Sequence, residues 1–145
     1  MNAVEIALIG SGLFFICGLL TGLWKYRCIS SSPDAQAPVY VDIAHRASLM
    51  YAFACLVLLE FAERSTWPEW VNQIAVTVPV VFFASAIATY IVHGCLRDTD
   101  NQLRRPHVLG TRQVHGAAIS TYMILLTAGE IGGFVVLFAG WARGL

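Results

Sequence analysis

Apolar residues dominate four stretches of the chain, near 4–24, 43–63, 71–95 and 114–142, and most charged residues fall between them. About 20 apolar residues in a helix are enough to cross the hydrocarbon core of a bilayer. The pattern therefore predicts four transmembrane helices in a single domain, an all-α integral membrane bundle. The first run is not expected to be a cleaved signal, because no basic residue precedes it and a second span follows at once. Small residues mark helix contacts: Gly18 and Gly22 in the first span, Ala84, Ala86 and Ala88 in the third, and Gly129 and Gly133 in the fourth. Small residues four apart allow two backbones to approach closely. Pro79 interrupts the third span and predicts a kink, since proline removes a backbone donor.

Composition agrees with this reading. The chain is 57% hydrophobic and 12% charged, with no net charge, which removes nucleic acid as a partner. The basic residues are unevenly placed. Lys25, Arg27, Arg46, Arg97, Arg104, Arg105 and Arg112 fall toward the connections 25–42 and 96–113, whereas only Arg64 and Arg143 fall on the other side. The positive-inside rule then puts those two connections in the cytoplasm and both termini on the non-cytoplasmic side. Trp67, Trp70 and Trp141 mark one membrane interface, and Trp24 and Tyr26 the other. Cys17, Cys28, Cys55 and Cys95 form no CxxC pair and predict no disulfide framework.

The candidate chemistry gathers around Asp42-Ile-Ala-His-Arg-Ala-Ser-Leu-Met-Tyr51, at the head of the second span. Asp42 is placed to cap that helix. His45 lies just inside it, where an ionisable side chain is costly and marks a candidate site. His93 and His115 fall at the same depth on two other spans. Each alone reads as an interfacial residue satisfied by water; three together point to a metal or haem site between helices. Zinc could draw on His45, His93, His115 and Cys95, but no tight ligand motif is present. Haem needs one axial histidine, an apolar slot and basic partners, and suits these helices better. The connection 96–112 is dense in charge of both signs. It reads first as a solvated loop, and second as a segment in which Arg104, Arg105 or His107 could hold lipid head groups or haem propionates.

A shift of 70 residues superposes Arg27 on Arg97, His45 on His115 and Glu60 on Glu130. Four of the 16 positions from each histidine to its glutamate are identical, a weak sign of duplicated hairpins. Glu60 and Glu130 lie about 22 Å along the axis from their histidines. A structural Glu–Glu or Glu–Tyr hydrogen bond is the first expectation for them, and a proton relay or polar pocket the second.

Three blocks resemble the styrene oxide isomerases, small four-span membrane proteins of bacterial aromatic degradation. They are Cys17-Gly-Leu-Leu-Thr-Gly-Leu-Trp24 at the end of span one, the Ala44-His45 pair, and Tyr90 near the end of span three. The resemblance implies haem b at the subunit interfaces of a homotrimer in the bacterial inner membrane, with His45 as axial ligand. It implies a ferric Lewis acid that opens a small apolar epoxide, after which a hydride shift gives an aldehyde. Tyr90 would position the substrate oxygen. Where the family has an asparagine six residues after the histidine, this chain has Tyr51, which changes that wall of the pocket. His93, His115, Glu60 and Glu130 have no place in the family pattern. The rivals are a bis-histidine haem protein passing electrons to or from quinone, with His45 paired to His93 or His115, and a non-enzymatic haem-binding protein.

Overall fold

A computed structural model describes residues 1–145. Four long helices account for most of the chain: α1 (Ala3–Ser30), α2 (Val39–Glu63), α3 (Glu69–Leu96) and α4 (Gly116–Ala142). All four are long and apolar enough to cross a membrane. Between α3 and α4 a small antiparallel hairpin pairs β1 (Val108–Leu109) with β2 (Arg112–Gln113) and turns at Gly110, whose φ is +61°. The charged connection 96–112 is therefore partly folded. The connections 31–38 and 97–115 lie at one end of the bundle, called here the loop end. Both termini and residues 64–68 lie at the terminal end.

The helix boundaries follow local chemistry more than hydropathy. Asn2 opens α1 with a capping box: its Oδ1 accepts from Glu5 N–H, and the Glu5 carboxylate accepts from Asn2 N–H, both at 2.8 Å. The helix then runs beyond Trp24 to Ser30, because Lys25, Tyr26 and Arg27 are compatible with helix though not with hydrocarbon. Pro38 is the N-cap of α2, so the helix begins before Asp42 and that residue is not its cap. Pro68 starts α3 in the same way, and Arg97 ends it in the left-handed conformation at φ 51°.

The glycine pairs act as notches. A Cβ on Gly18 would lie 2.5 Å from Leu49 Cδ2, and one on Gly22 would lie 2.9 Å from His45 Cε1, so α2 side chains fill the space that α1 leaves open. On the other side, a Cβ on Gly133 would lie 2.5 Å from Pro79 Cγ and 2.6 Å from the Ala75 carbonyl oxygen. Proline at 79 cannot donate to that carbonyl, and the backbone of α4 approaches the freed oxygen. The alanine triplet behaves differently: Ala86 is buried, while Ala84 and Ala88 are exposed, since residues two apart do not share a helix face.

Burial is uneven. About one third of the apolar window of α1, α2 and α3 is buried, 33% in each, against 11% for α4. The buried residues of α4 are Gly133, Leu137 and Gly140, all in its second half. That half is pinned at the terminal end. Thr66 N–H and Oγ1–H both donate to the Gly140 carbonyl at 3.1 and 2.9 Å, and Trp67 Nε1–H donates to the Val136 carbonyl at 2.9 Å.

Candidate functional site

His45 sits in the α1–α2 seam. Its Nδ1 lies 2.8 Å from the Gly18 carbonyl oxygen, and its ring occupies the notch at Gly22. A carbonyl can only accept, so this bond puts the proton on Nδ1 and the lone pair on Nε2. Nε2 has no hydrogen-bond partner within the chain, and the side chain is half-buried. An imidazole that donates through one nitrogen to a backbone carbonyl, with the other free, is oriented as metal-ligating histidines are. One turn earlier, Asp42 binds Lys25 at 2.6 Å and Arg46 at 2.7 Å. These two cations stand about one helical turn from His45.

The three histidines share the loop end of the bundle but not a site. His93 is buried at 5% exposure, and its Nδ1 lies 2.7 Å from Asp98 Oδ1. His115 is exposed and caps α4, its Nδ1 accepting from Ala117 N–H at 3.3 Å. No group of three or more His, Cys, Asp or Glu side chains is gathered closely enough to hold a metal ion. The zinc set His45, His93, His115 and Cys95 is therefore not assembled. Its members belong to different helix faces, and shared depth does not bring them together. All four cysteines are free.

Tyr51 and Tyr90 do meet. Tyr51 stacks on Phe83 at 4.3 Å, its hydroxyl lies beside that of Tyr90, and Tyr122 and Glu130 are within electrostatic reach of both. Tyr90 stacks in turn on Tyr40 at 6.0 Å. Six residues along α2 turn the helix so that Tyr51 points about 120° away from His45. In one chain the tyrosine pair faces the interior among α2, α3 and α4, while His45 faces α1.

The glutamates part company. Glu60 is exposed and ion-paired to Arg64 on its own helix. Glu130 makes no hydrogen bond, and its Oε1 is buried without a partner. The expected Glu–Glu or Glu–Tyr bond is not formed. Nor are the two hairpins alike in detail, since His45 lies inside α2 and His115 precedes α4.

In the 97–115 connection, Arg104 pairs with Asp100 at 2.8 Å, and Arg105 is exposed beside His107 and His115. His107 is not a surface group: it is 9% exposed and lies 3.1 Å from the Gln102 carbonyl oxygen through Nδ1. Asp98 accepts from Gly110 N–H at 2.5 Å as well as from His93. Burial opposes the charge on Asp98, but those two hydrogen bonds outweigh it and hold its carboxyl below the ordinary carboxylate range. Neither Asp98 nor Gln102 stands out in the sequence. A His-x4-Asp spacing across a helix end carries no distinctive signal, and the pairing depends on the left-handed turn at Arg97.

Comparison with known proteins yields no matching family profile, no matching curated protein and no matching solved structure.

Proposed function

We propose that this chain is a membrane-embedded haem-binding protein with His45 Nε2 as axial ligand, acting as an isomerase on a small apolar epoxide. The observation that carries the ligand assignment is the Nδ1–H bond to the Gly18 carbonyl, which fixes the ring and leaves Nε2 free. The surroundings fit the group. The α1–α2 surface presents Leu19, Leu23, Met50 and Phe53 to the outside, and Lys25 and Arg46 stand toward its loop end as partners for carboxylates. When bound, haem iron supplies a Lewis acid to the oxygen of a strained ether.

Ligation by a single histidine is what separates catalysis from electron transfer, since an open sixth position suits substrate and two strong ligands suit redox cycling. Within one chain, His93 is held by Asp98 and His115 caps α4, so neither stands across from His45. That favours the isomerase over the bis-histidine cytochrome. The likeness of Cys17–Trp24, Ala44-His45 and Tyr90 to styrene oxide isomerases supplies the substrate class. In this reading the chain lies in a bacterial inner membrane with the loop end in the cytoplasm, and a trimer places haem between copies. Tyr51 and Tyr90 then shape the interior wall of each protomer behind α2.

The test is the absorption spectrum of the detergent-purified protein, followed by conversion of styrene oxide. The wild type, His93→Ala and His115→Ala should all carry haem, and His45→Ala should lose it. Haem retained by His45→Ala, or a ligand-inert bis-imidazole spectrum abolished by His93→Ala or His115→Ala, would overturn the assignment.

A further inference from the structure

At the loop end of the α3–α4 seam a cavity of about 360 Å³ opens between the helices beneath the β-hairpin. That size falls in the range of small-molecule pockets. Its walls are largely apolar, with Val92, Ile119 and Met123 among them, and the polar side chains His93, Gln102 and His107 also line it.

Three of these side chains carry an acceptor with no donor in the protein, and Gln102 also carries an amide N–H2. His93 gives its Nδ1 proton to Asp98, and the Tyr40 ring packs 5.0 Å from it. His107 gives its Nδ1 proton to the Gln102 carbonyl. In the neutral form of each ring the lone pair is then on Nε2, which has no hydrogen-bond partner in the protein. Gln102 Oε1 is likewise buried and unpartnered.

The hydroxyl protons along the same walls are already committed. Thr89 donates to the Ser85 carbonyl at 2.9 Å. Ser85 donates to the Phe82 carbonyl at 2.8 Å, so in the 2.8 Å contact between Ser85 Oγ and Tyr122 the phenol is the donor. A buried acceptor without a donor is costly, as at Gln102 Oε1, so a molecule that completes this site gains by bringing an O–H or N–H group.

We infer that this cavity binds a small apolar molecule of the phenol class, whose hydroxyl donates to the free Nε2 of His93 or His107 and whose ring lies against the apolar walls. A phenol fits better than an aliphatic alcohol on two counts. Its more acidic proton pairs well with an imidazole backed by a carboxylate, and Met123 offers sulfur to an aromatic ring. The site is separate from the α1–α2 seam and does not depend on the role proposed for His45.

The experiment is a titration of the full chain in detergent, labelled with ¹⁵N at its histidine rings, using 4-butylphenol and butylbenzene as a matched pair. With 4-butylphenol, the Nε2 signal of His93 or His107 should shift and saturate. Butylbenzene, which lacks only the hydroxyl, should bind about tenfold more weakly, as loss of one hydrogen bond to a buried acceptor predicts. Asp98→Asn, which can still accept from Nδ1, and Gln102→Leu should each weaken the phenol and leave butylbenzene unchanged. His45→Ala should alter neither. Equal affinity for the two compounds, or shifts that rise linearly without saturation as partition into the micelle would give, overturns the proposal on the wild-type protein alone.

Discussion

The α1–α2 and α3–α4 seams use the same device to opposite ends. Each has a pair of glycines four residues apart, and each has a histidine whose Nδ1 is engaged. In α1 the glycines lie toward the loop end, and α2 fills their notches with Leu49 and His45. The seam is closed there, and the imidazole is pressed to its edge with Nε2 left over. In α4 the glycines that touch α3 lie in the second half of the helix, so close approach occurs toward the terminal end. Tyr122 stands between the helices at the loop end, and a cavity remains there that His93 helps to line. Where the small residues fall along a helix thus decides whether an ionisable group is presented outward or enclosed.

The sharpest way to break this comparison is to fill a notch whose neighbours cannot move. Gly133→Leu drives a side chain into Pro79 and the Ala75 carbonyl, and should cost ~3 kcal/mol or more as overpacking against backbone. Gly132→Ala, with open space around it, should cost little. Thermal unfolding in detergent compares the two, and equal melting temperatures would show that the α3–α4 approach is not held by Gly133.

Gly22→Ala comes next, because the atom it meets belongs to a side chain that can swing away. The fold should survive while the His45 ring leaves the Gly18 carbonyl, and with His45 as the proposed axial ligand haem affinity should fall by about 10–100-fold as for loss of an orienting partner. Haem titration reads this directly. An unchanged affinity would separate ligation from the notch.

A smaller effect is expected from pH. Asp98 has its folded pKa below its ordinary value, so its contribution to stability is present at neutral pH and is lost as pH falls through that folded pKa. Unfolding followed from neutral to acid pH should therefore show a decline that is flatter in Asp98→Asn. Identical slopes would mean that the His93–Asp98 pair contributes nothing to stability. The smallest change is His115→Ala, which removes the side-chain cap of α4 and should cost about 0.5–1 kcal/mol. A larger loss would point to a role for His115 beyond the cap.

The four helices were legible because apolar runs of that length have one common outcome, and the glycine pairs announced close approach before any contact was known. Helix ends were less legible. Hydropathy reports the thickness of an apolar slab, whereas Pro38 and the helix-compatible run Lys25–Ser30 decide where the helices start and stop. His45 stands out as a candidate by its depth and by the Ala44-His45 resemblance, yet nothing in the sequence names Gly18 as its partner. Tyr51 and Tyr90 were expected together, and they are, but around α2 from His45 rather than over it. The 97–115 connection was least legible. Its charges describe a solvated loop, while the buried positions of Asp98, Gln102 and His107 depend on a left-handed turn and a short hairpin that composition does not encode.

The lopsided burial of α4 has a kinetic consequence. A segment with few buried contacts opens locally at low free-energy cost, independently of the rest of the fold. Residues 116–132 include no buried position, whereas Thr66, Trp67 and Pro79 clasp the second half of the helix. The helix is thus hung more firmly at its terminal end, and beside the cavity the Tyr122–Ser85 hydrogen bond is its latch to α3. For a molecule bound in the proposed site, the opening of that latch should set residence time more than affinity.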